Sequence, residues 1–348
     1  MVSDSEPPFH VHVASALVHN SFIRPAAAPD HAWGWGDSAA AAMRGAVFEA
    51  VENYANALWR QAQLLEPDAN WSRPRFFALF QADGRILWRR VEANALCLPG
   101  QCAGRKVAVP LEAAISDTHP HLAGPALAPS RSGVGAGNSL AEAGASALAE
   151  VVERFTLARH WGAGLSGRRL APEGFAPRLL RALAADGLEV DLVELPGFAG
   201  HRVVAARVRS EALPHEAVGA AARRSREAAV RGALGEALQV RVGLLASLKN
   251  LETAARARAL AAGRQEVETA FDRALLAAMG GGRAARDRFF AGTRACLAVP
   301  GSLEVAYTDL TTPDLRATGC FVVRAVLFCD VPVPNGPGTE FAEPFVLA

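Results

Sequence analysis

The chain has 348 residues, 51% of them hydrophobic, with a formal net charge of +1. A chain this long buries a sizeable core, and near-neutral charge without a long charged block excludes a nucleic-acid footprint. No uncharged apolar run reaches membrane-spanning length, MVSDSEPPFH lacks the basic and apolar regions of a signal peptide, and both observations point to the cytoplasm. The five cysteines form no CxxC pair and read as small buried thiols. Arginine outnumbers lysine 34 to 2, a bias we ascribe to genome composition.

In chain order, residues 1–30 read as a lead-in with one short strand, His10–Leu17. Ser38 caps a long helix that runs to about Leu65, before Pro67. RFFALFQ and RILWRRV flank Ala82-Asp83-Gly84 and form a hairpin. A glycine-rich stretch, SGVGAGNS, leads into a helix from about Ser139 to His160. Alternating polarity makes Leu188–Leu195 a strand and His201–Val208 its antiparallel neighbour. Helical patterns fill Arg224–Leu245 and Leu248–Met279, the second broken near Gly263. Cys320–Phe328 is a late core strand, and 331–348 is a tail rich in proline and glycine. Helices and strands interleave without a Gly/Ser linker, so the expected class is α+β, or mixed α/β, in a single domain over 31–348.

An internal repeat carries the chemistry. Residues 34–55 (GWGDSAAAAMRGAVFEAVENYA) and 135–156 (GAGNSLAEAGASALAEVVERFT) align without gaps and are identical at nine of 22 positions. Each copy is GxG, a polar pair, then ExxE beginning thirteen residues after the second glycine. The pairs are Glu49/Glu52 and Glu150/Glu153; a third helix, RGALGEALQVR, carries Glu236 and Gln239 at the same i,i+3 spacing, which puts both on one helix face.

A lone ExxE on an alanine-rich helix is usually a solvated face, and glycines before a helix are usually a turn. Two copies in register with a third polar pair shift the balance. Carboxylates gathered on apolar helix faces repel one another and are costly to desolvate, and a hard cation such as Mg²⁺ relieves both costs. The GxG segments read as loops that bring backbone N–H groups to an anion at a helix N-terminus. The sequence thus points to a nucleotide–Mg²⁺ site between two pseudo-symmetric halves. Known nucleotide motifs do not account for it. There is no GxxxxGK[ST], GxGxG replaces GxGxxG, and no ExxE carries the histidine of a di-iron site.

These three segments, in this order and spacing over residues 30–245, resemble the YcaO superfamily. The resemblance implies a non-P-loop fold that binds ATP and Mg²⁺ and activates a peptide backbone amide. The substrate side chain attacks the preceding carbonyl, the oxyanion takes the γ-phosphoryl group, and loss of phosphate leaves thiazoline or oxazoline at Cys, Ser or Thr. Thioamide or amidine formation, and a non-catalytic scaffold, are the alternatives. Carried over by motif, Glu49, Glu52, Glu150 and Glu153 form the catalytic metal and phosphate site. Gly135, Gly137, Asn138, Glu142, Gln239 and Arg241 bind the nucleotide. Trp35 stands where the family has a cation, Asn53 where it has arginine, and the chain ends EPFVLA rather than PxPxP. The implied partners are a ribosomally made precursor peptide, a separate leader-recognising protein of ubiquitin-activating type, since no such domain is evident here, and a second copy in a homodimer. The histidines His10, His12, His119 and His121 read as surface or satisfied core groups.

Overall fold

The computed structural model describes residues 11–18, 30–57, 71–80, 85–93, 95–115, 132–172, 177–267, 270–292, 297, 300–301 and 303–333. The chain begins with β1 (His12–Val18), β2 (Asp30–Gly36), α1 (Ala39–Ala57), β3 (Phe76–Phe80), β4 (Ile86–Arg90), β5 (Cys97–Cys102), β6 (Arg105–Pro110) and the short α2 (Leu111–Ala114). The middle consists of β7 (Val134–Gly137), α3 (Leu140–Gly162), β8 (Arg168–Leu170), α4 (Pro177–Ala185), β9 (Leu188–Pro196), β10 (Arg202–Ser210) and β11 (Glu216–Arg223). Helices α5 (Arg226–Ser247), α6 (Leu251–Ala261), α7 (Ala270–Ala278) and α8 (Arg283–Phe290) follow, then β12 (Glu304–Asp309), α9 (Pro313–Ala317) and β13 (Phe321–Cys329). The architecture is mixed α/β, as expected.

Among the described residues, three sheets organise the chain. β1 and β2 form an antiparallel pair, β8 to β11 an antiparallel four-stranded sheet, and a seven-stranded sheet runs β4-β3-β13-β12-β5-β6 with β7 also on β13. The expected hairpin is β3–β4, with Phe76 opposite Arg90; its turn lies outside the described residues, as do the helix end near Leu65, His10, His119, His121 and the tail beyond residue 333.

β13 is the spine. Its first half pairs with β7 (Phe321 opposite Gly137), its end with β3 (Phe328 opposite Phe77), and its other edge with β12. Every residue from Val322 to Cys329 is buried, because both faces of the strand are covered.

α3 lies between the two larger sheets. Ala143, Ala147, Val151 and Phe155 pack with Val323, Ala325 and Leu327 of β13. Val152, Leu157 and Trp161 pack with Val193, Val203 and Val218 of the four-stranded sheet. The opposite face of that sheet takes α5 through Ala229, Val230, Ala233 and Leu234. A sheet covered on both faces loses burial alternation. Hence Asp191–Leu195 of β9 are all buried although the sequence alternates.

The GxG segments are strands, not loops. Gly34 and Gly36 belong to β2, and Gly135 and Gly137 to β7. Their missing side chains let the following helix close on the strand. A Cβ on Gly135 would lie 2.5 Å from Ala143 O and 2.4 Å from Ala147 N; on Gly34 it would meet Ala42 O and Ala46 N, both at 2.2 Å. Gly135→Ala should therefore destabilise the fold by about 1–3 kcal/mol, the usual cost of overpacking against backbone that cannot retreat. Chemical denaturation measures it, and wild-type stability in that variant would remove the packing explanation.

Candidate active site

Three strand–helix units share one register. Ser38, Ser139 and Ser225 each accept a hydrogen bond from the N–H three residues on, capping α1, α3 and α5. Eleven residues after each serine stands a glutamate: Glu49, Glu150 and Glu236. Trp33 N donates to Glu49 at 2.8 Å and Ala220 N donates to Glu236 at 2.8 Å, each sixteen residues apart. In the second unit the backbone of Gly133 and Val134 lies near Glu150 and favours its charged form. In the third unit glycine sits on both elements: a Cβ on Gly219 of β11 would lie 2.3 Å from Ala237 N, and one on Gly232 of α5 would lie 2.6 Å from the Ala221 methyl.

The shared register draws the glutamates into one cavity of about 660 Å³. Of the residues expected there, Glu49, Glu52, Glu142, Glu150, Glu153 and Gln239 all line it. The structure thus gathers the ExxE pairs of α1 and α3 and the ExxQ of α5. Asn138 is not among the described lining residues; it is held by Glu142, whose carboxylate accepts from Asn138 N at 2.9 Å and Nδ2 at 3.3 Å.

Three expectations are corrected. Gly135 and Gly137 do not line the cavity; they are seams between β7 and α3, because helix backbone occupies the space a side chain would need. The backbone N–H groups expected to cradle an anion bind protein carboxylates instead: Ala136 N donates to Glu52 at 2.7 Å. Arg241 lies outside the cavity lining, and its Nη1 donates to Pro214 O at 2.5 Å.

The cavity also contains residues that the sequence reading did not select. Arg154, Arg223, Arg224, His201 and Trp33 line it; Trp35 and Glu236, both noted in the sequence but given no site role, line it as well. The signal for Arg223 and Arg224 was a third, gapless copy of the repeat: Ala221-Ala222-Arg223-Arg224-Ser225 aligns with Gly34–Ser38 and Gly135–Ser139. Alanine in place of glycine concealed it. Trp35 lies against α5, and Gly235 is required there, since a Cβ would come within 2.3 Å of the indole.

Six carboxylates face three guanidiniums across the cavity. Burial, reinforced by the charges of Glu150 and Glu49, pushes Glu52 well above the usual carboxylate range. Burial and the charges of Glu236 and Glu150 do the same to Glu153, with Arg154 opposing. Burial also raises Glu150 and Glu236. Arg154 sits 3.8 Å from Glu150 and 3.9 Å from Glu153; burial disfavours its charge, but Glu153, Glu150 and Glu236 outweigh that. Arg324 of β13 is lowered to about 10 by burial, against the pull of Glu150.

Among the described residues, no three His, Cys, Asp or Glu side chains form a ready-made metal cluster. Mg²⁺ usually keeps several waters and binds through one or two carboxylates together with substrate phosphates. An all-oxygen donor set with surplus negative charge fits the ion, and the arginines at its edge fit the phosphates.

For Glu52, Glu150, Glu153 and Glu236 the folded-state value lies above the unfolded one. The folded chain therefore binds more protons, and stability falls as pH rises. The fall begins near the usual value of 4.5 and continues through the elevated values. Glu52→Gln keeps an acceptor for Ala136 N and removes the charge. Melting curves between about pH 5 and pH 8 should therefore decline less steeply for this variant than for the wild-type chain; superimposable profiles would contradict the assignment.

Residues 33–327 match the family described as YcaO cyclodehydratase, ATP- and Mg²⁺-binding. No curated protein matches the chain. Among solved structures, YcaO from Methanopyrus kandleri bound with AMPPCP and Mg²⁺ superimposes with a TM-score of 0.62 at 22% identity, over 90% of this chain and 81% of that one. A heterocyclase in complex with substrate and cofactor gives 0.60 at 17% identity; this chain, over 90% of its length, spans 50% of it. A chain of the E. coli microcin synthetase McbBCD complex gives 0.55 at 12% identity, over 86% of this chain and 82% of that one. With the sequence match covering most of its length, the chain belongs to the YcaO family, whose cofactors are ATP and Mg²⁺.

Proposed function

We propose that the chain uses ATP to phosphorylate a peptide backbone amide, and that its product is the thiazoline or oxazoline formed by cyclodehydration of Cys, Ser or Thr in a ribosomally made peptide. The observation that carries this reading is the meeting of two ExxE pairs and one ExxQ from three helices in one cavity with Arg154 and Arg223. Phosphoryl transfer needs positioning and charge neutralisation more than a protein nucleophile.

In this reading Glu49, Glu52, Glu150 and Glu153 hold the metal ion and, through it, the phosphates. When bound, Mg²⁺ neutralises triphosphate charge and orients the transferred group. Arg154 and Arg223 meet the phosphate oxygens directly. Glu142, Asn138 and Gln239 supply hydrogen bonds to the nucleotide. Gly135 and Gly137 contribute by closing α3 on β7, and Arg241 by fixing α5 to the segment at Pro214. The single 31–348 domain acts with a partner that recognises the precursor's leader, a reading supported by the E. coli relative's place in a synthetase complex.

Glu150→Gln and Glu153→Gln should each lower Mg²⁺-dependent ATP turnover by at least about 10²-fold, the scale of losing one electrostatic stabiliser, with unchanged secondary structure by circular dichroism. Wild-type turnover in either variant would overturn the metal assignment.

Mass spectrometry of the precursor, omitting each component in turn, tests the reaction. Loss of about 18 Da per ring, one water, marks the azoline, and the yield should fall when the partner is withheld because leader binding positions the reacting amide. A gain of about 16 Da, oxygen replaced by sulfur, would select thioamide formation, while ATP binding without peptide change would make the chain a scaffold.

A further inference from the structure

A second cavity of about 620 Å³ adjoins the first and shares two wall residues with it, His201 and Arg224. It is built on the β8–β9–β10 edge of the four-stranded sheet and the first residue of α5. Its chemistry is opposite to that of the first cavity. Arg168, Arg202, Arg224 and Arg226 line it, with Glu194 as its one carboxylate among the described lining residues.

Glu194 organises these arginines. Arg168 Nη2 donates to its Oε2, while Arg202 Nη1 and Arg226 Nε each donate to Oε1 at 3.0 Å. Burial opposes the charge on Glu194, but the bonds from Arg226, Arg168 and Arg202 hold it below the usual carboxylate range. Three guanidiniums on one carboxylate leave two positive charges uncompensated, and Arg224 adds a third. The Glu194 side chain is 10% exposed, whereas Arg168 and Arg202 are 59% and 50% exposed. The carboxylate is therefore a buried anchor that pre-orients cations toward solvent. His201 adds no charge: burial lowers its pKa, and Arg224 and Arg223 lower it further against backbone hydrogen bonds.

Planar guanidinium forks held in place match carboxylates in bidentate geometry. The cavity is far larger than a single inorganic anion requires and falls in the range of about 300–1,000 Å³ that organic ligands occupy. It also adjoins the carboxylate-lined cavity, across His201 and Arg224.

We propose that this cavity docks acidic side chains of the peptide substrate, flanking the residue being modified. The proposal rests on the peptide-modifying reading above. It selects substrates with Asp or Glu close to the reacting position, and it does so without touching the nucleotide.

The test measures binding on the full chain. Fluorescein-labelled hexaglutamate should bind saturably by anisotropy, and more weakly as salt rises. The double variant Arg168→Gln, Arg202→Gln should weaken it by at least about tenfold, while Arg168→Lys, Arg202→Lys keeps most of it. AMPPCP·Mg²⁺ affinity, read by calorimetry, should stay unchanged in both. If the double variant fails to fold, Arg168→Gln alone serves, since that side chain is mostly in solvent. Equal hexaglutamate affinity in the wild-type and glutamine variants, or no saturable binding, overturns the proposal. Displacement by inorganic phosphate at concentrations no higher than the peptide's also overturns it, in favour of a free phosphate. A chain that binds hexaglutamate through these arginines yet never turns over ATP would sink the enzymatic reading and leave the site. ATP turnover with hexaglutamate binding indifferent to the arginines would do the reverse.

Discussion

The helix carboxylate that reaches back to a strand N–H is the interaction on which the rest of the structure depends. Glu49 holds Trp33 N, Glu236 holds Ala220 N, and Glu52 crosses from α1 to hold Ala136 N of β7. An unsatisfied buried N–H costs more than a made hydrogen bond gains, so each carboxylate is fixed in place. The reach is short only because strand and helix almost touch, and they almost touch because Gly34, Gly45, Gly135 and Gly232 lack side chains at the contact. A methyl at Gly34 or Gly135 would meet helix backbone at 2.2–2.5 Å and force strand and helix apart.

That geometry has an electrostatic consequence. Fixing carboxylates from three helices around one space raises their proton affinity, through burial first and mutual repulsion second. Arg154 offsets part of this, lying close to Glu150 and Glu153. The remainder is an unfavourable cost that a divalent cation would relieve. Strain of this kind is common at sites organised for binding rather than for stability.

The four-stranded sheet adds a contrast of sign. Its end at β11 and the start of α5 bring Arg223 and Arg224 to positions that in the other two units hold Gly36-Asp37 and Gly137-Asn138. The third unit therefore contributes cations where the first two contribute a close-packed glycine and a polar residue. Arg224 and His201 then form the wall between an acidic cavity and a basic one.

Local physics made much of this legible in the sequence. Ser38 and Ser139 cap their helices as their spacing requires, β3 and β4 pair as their apolar runs suggest, and the ExxE pairs lie on one face because i,i+3 residues must. The fold class, the family and the carboxylates of the cavity were therefore determined by the sequence alone. What it could not determine was non-local. The GxG segment became a strand because β13, nearly two hundred residues later, pairs with Val134–Gly137. Its glycines face helix backbone, so the same residues that suggested an anion cradle serve as a packing seam. Arg241 left the site because the backbone at Pro214 folds back to meet it. Arg223, Arg224 and the basic cavity around Glu194 arise where sheet edge and helix start converge, with no shared sequence window. Only tertiary structure decides such things, because hydrogen-bond pairing, burial on two faces and convergence of charge depend on segments distant in sequence.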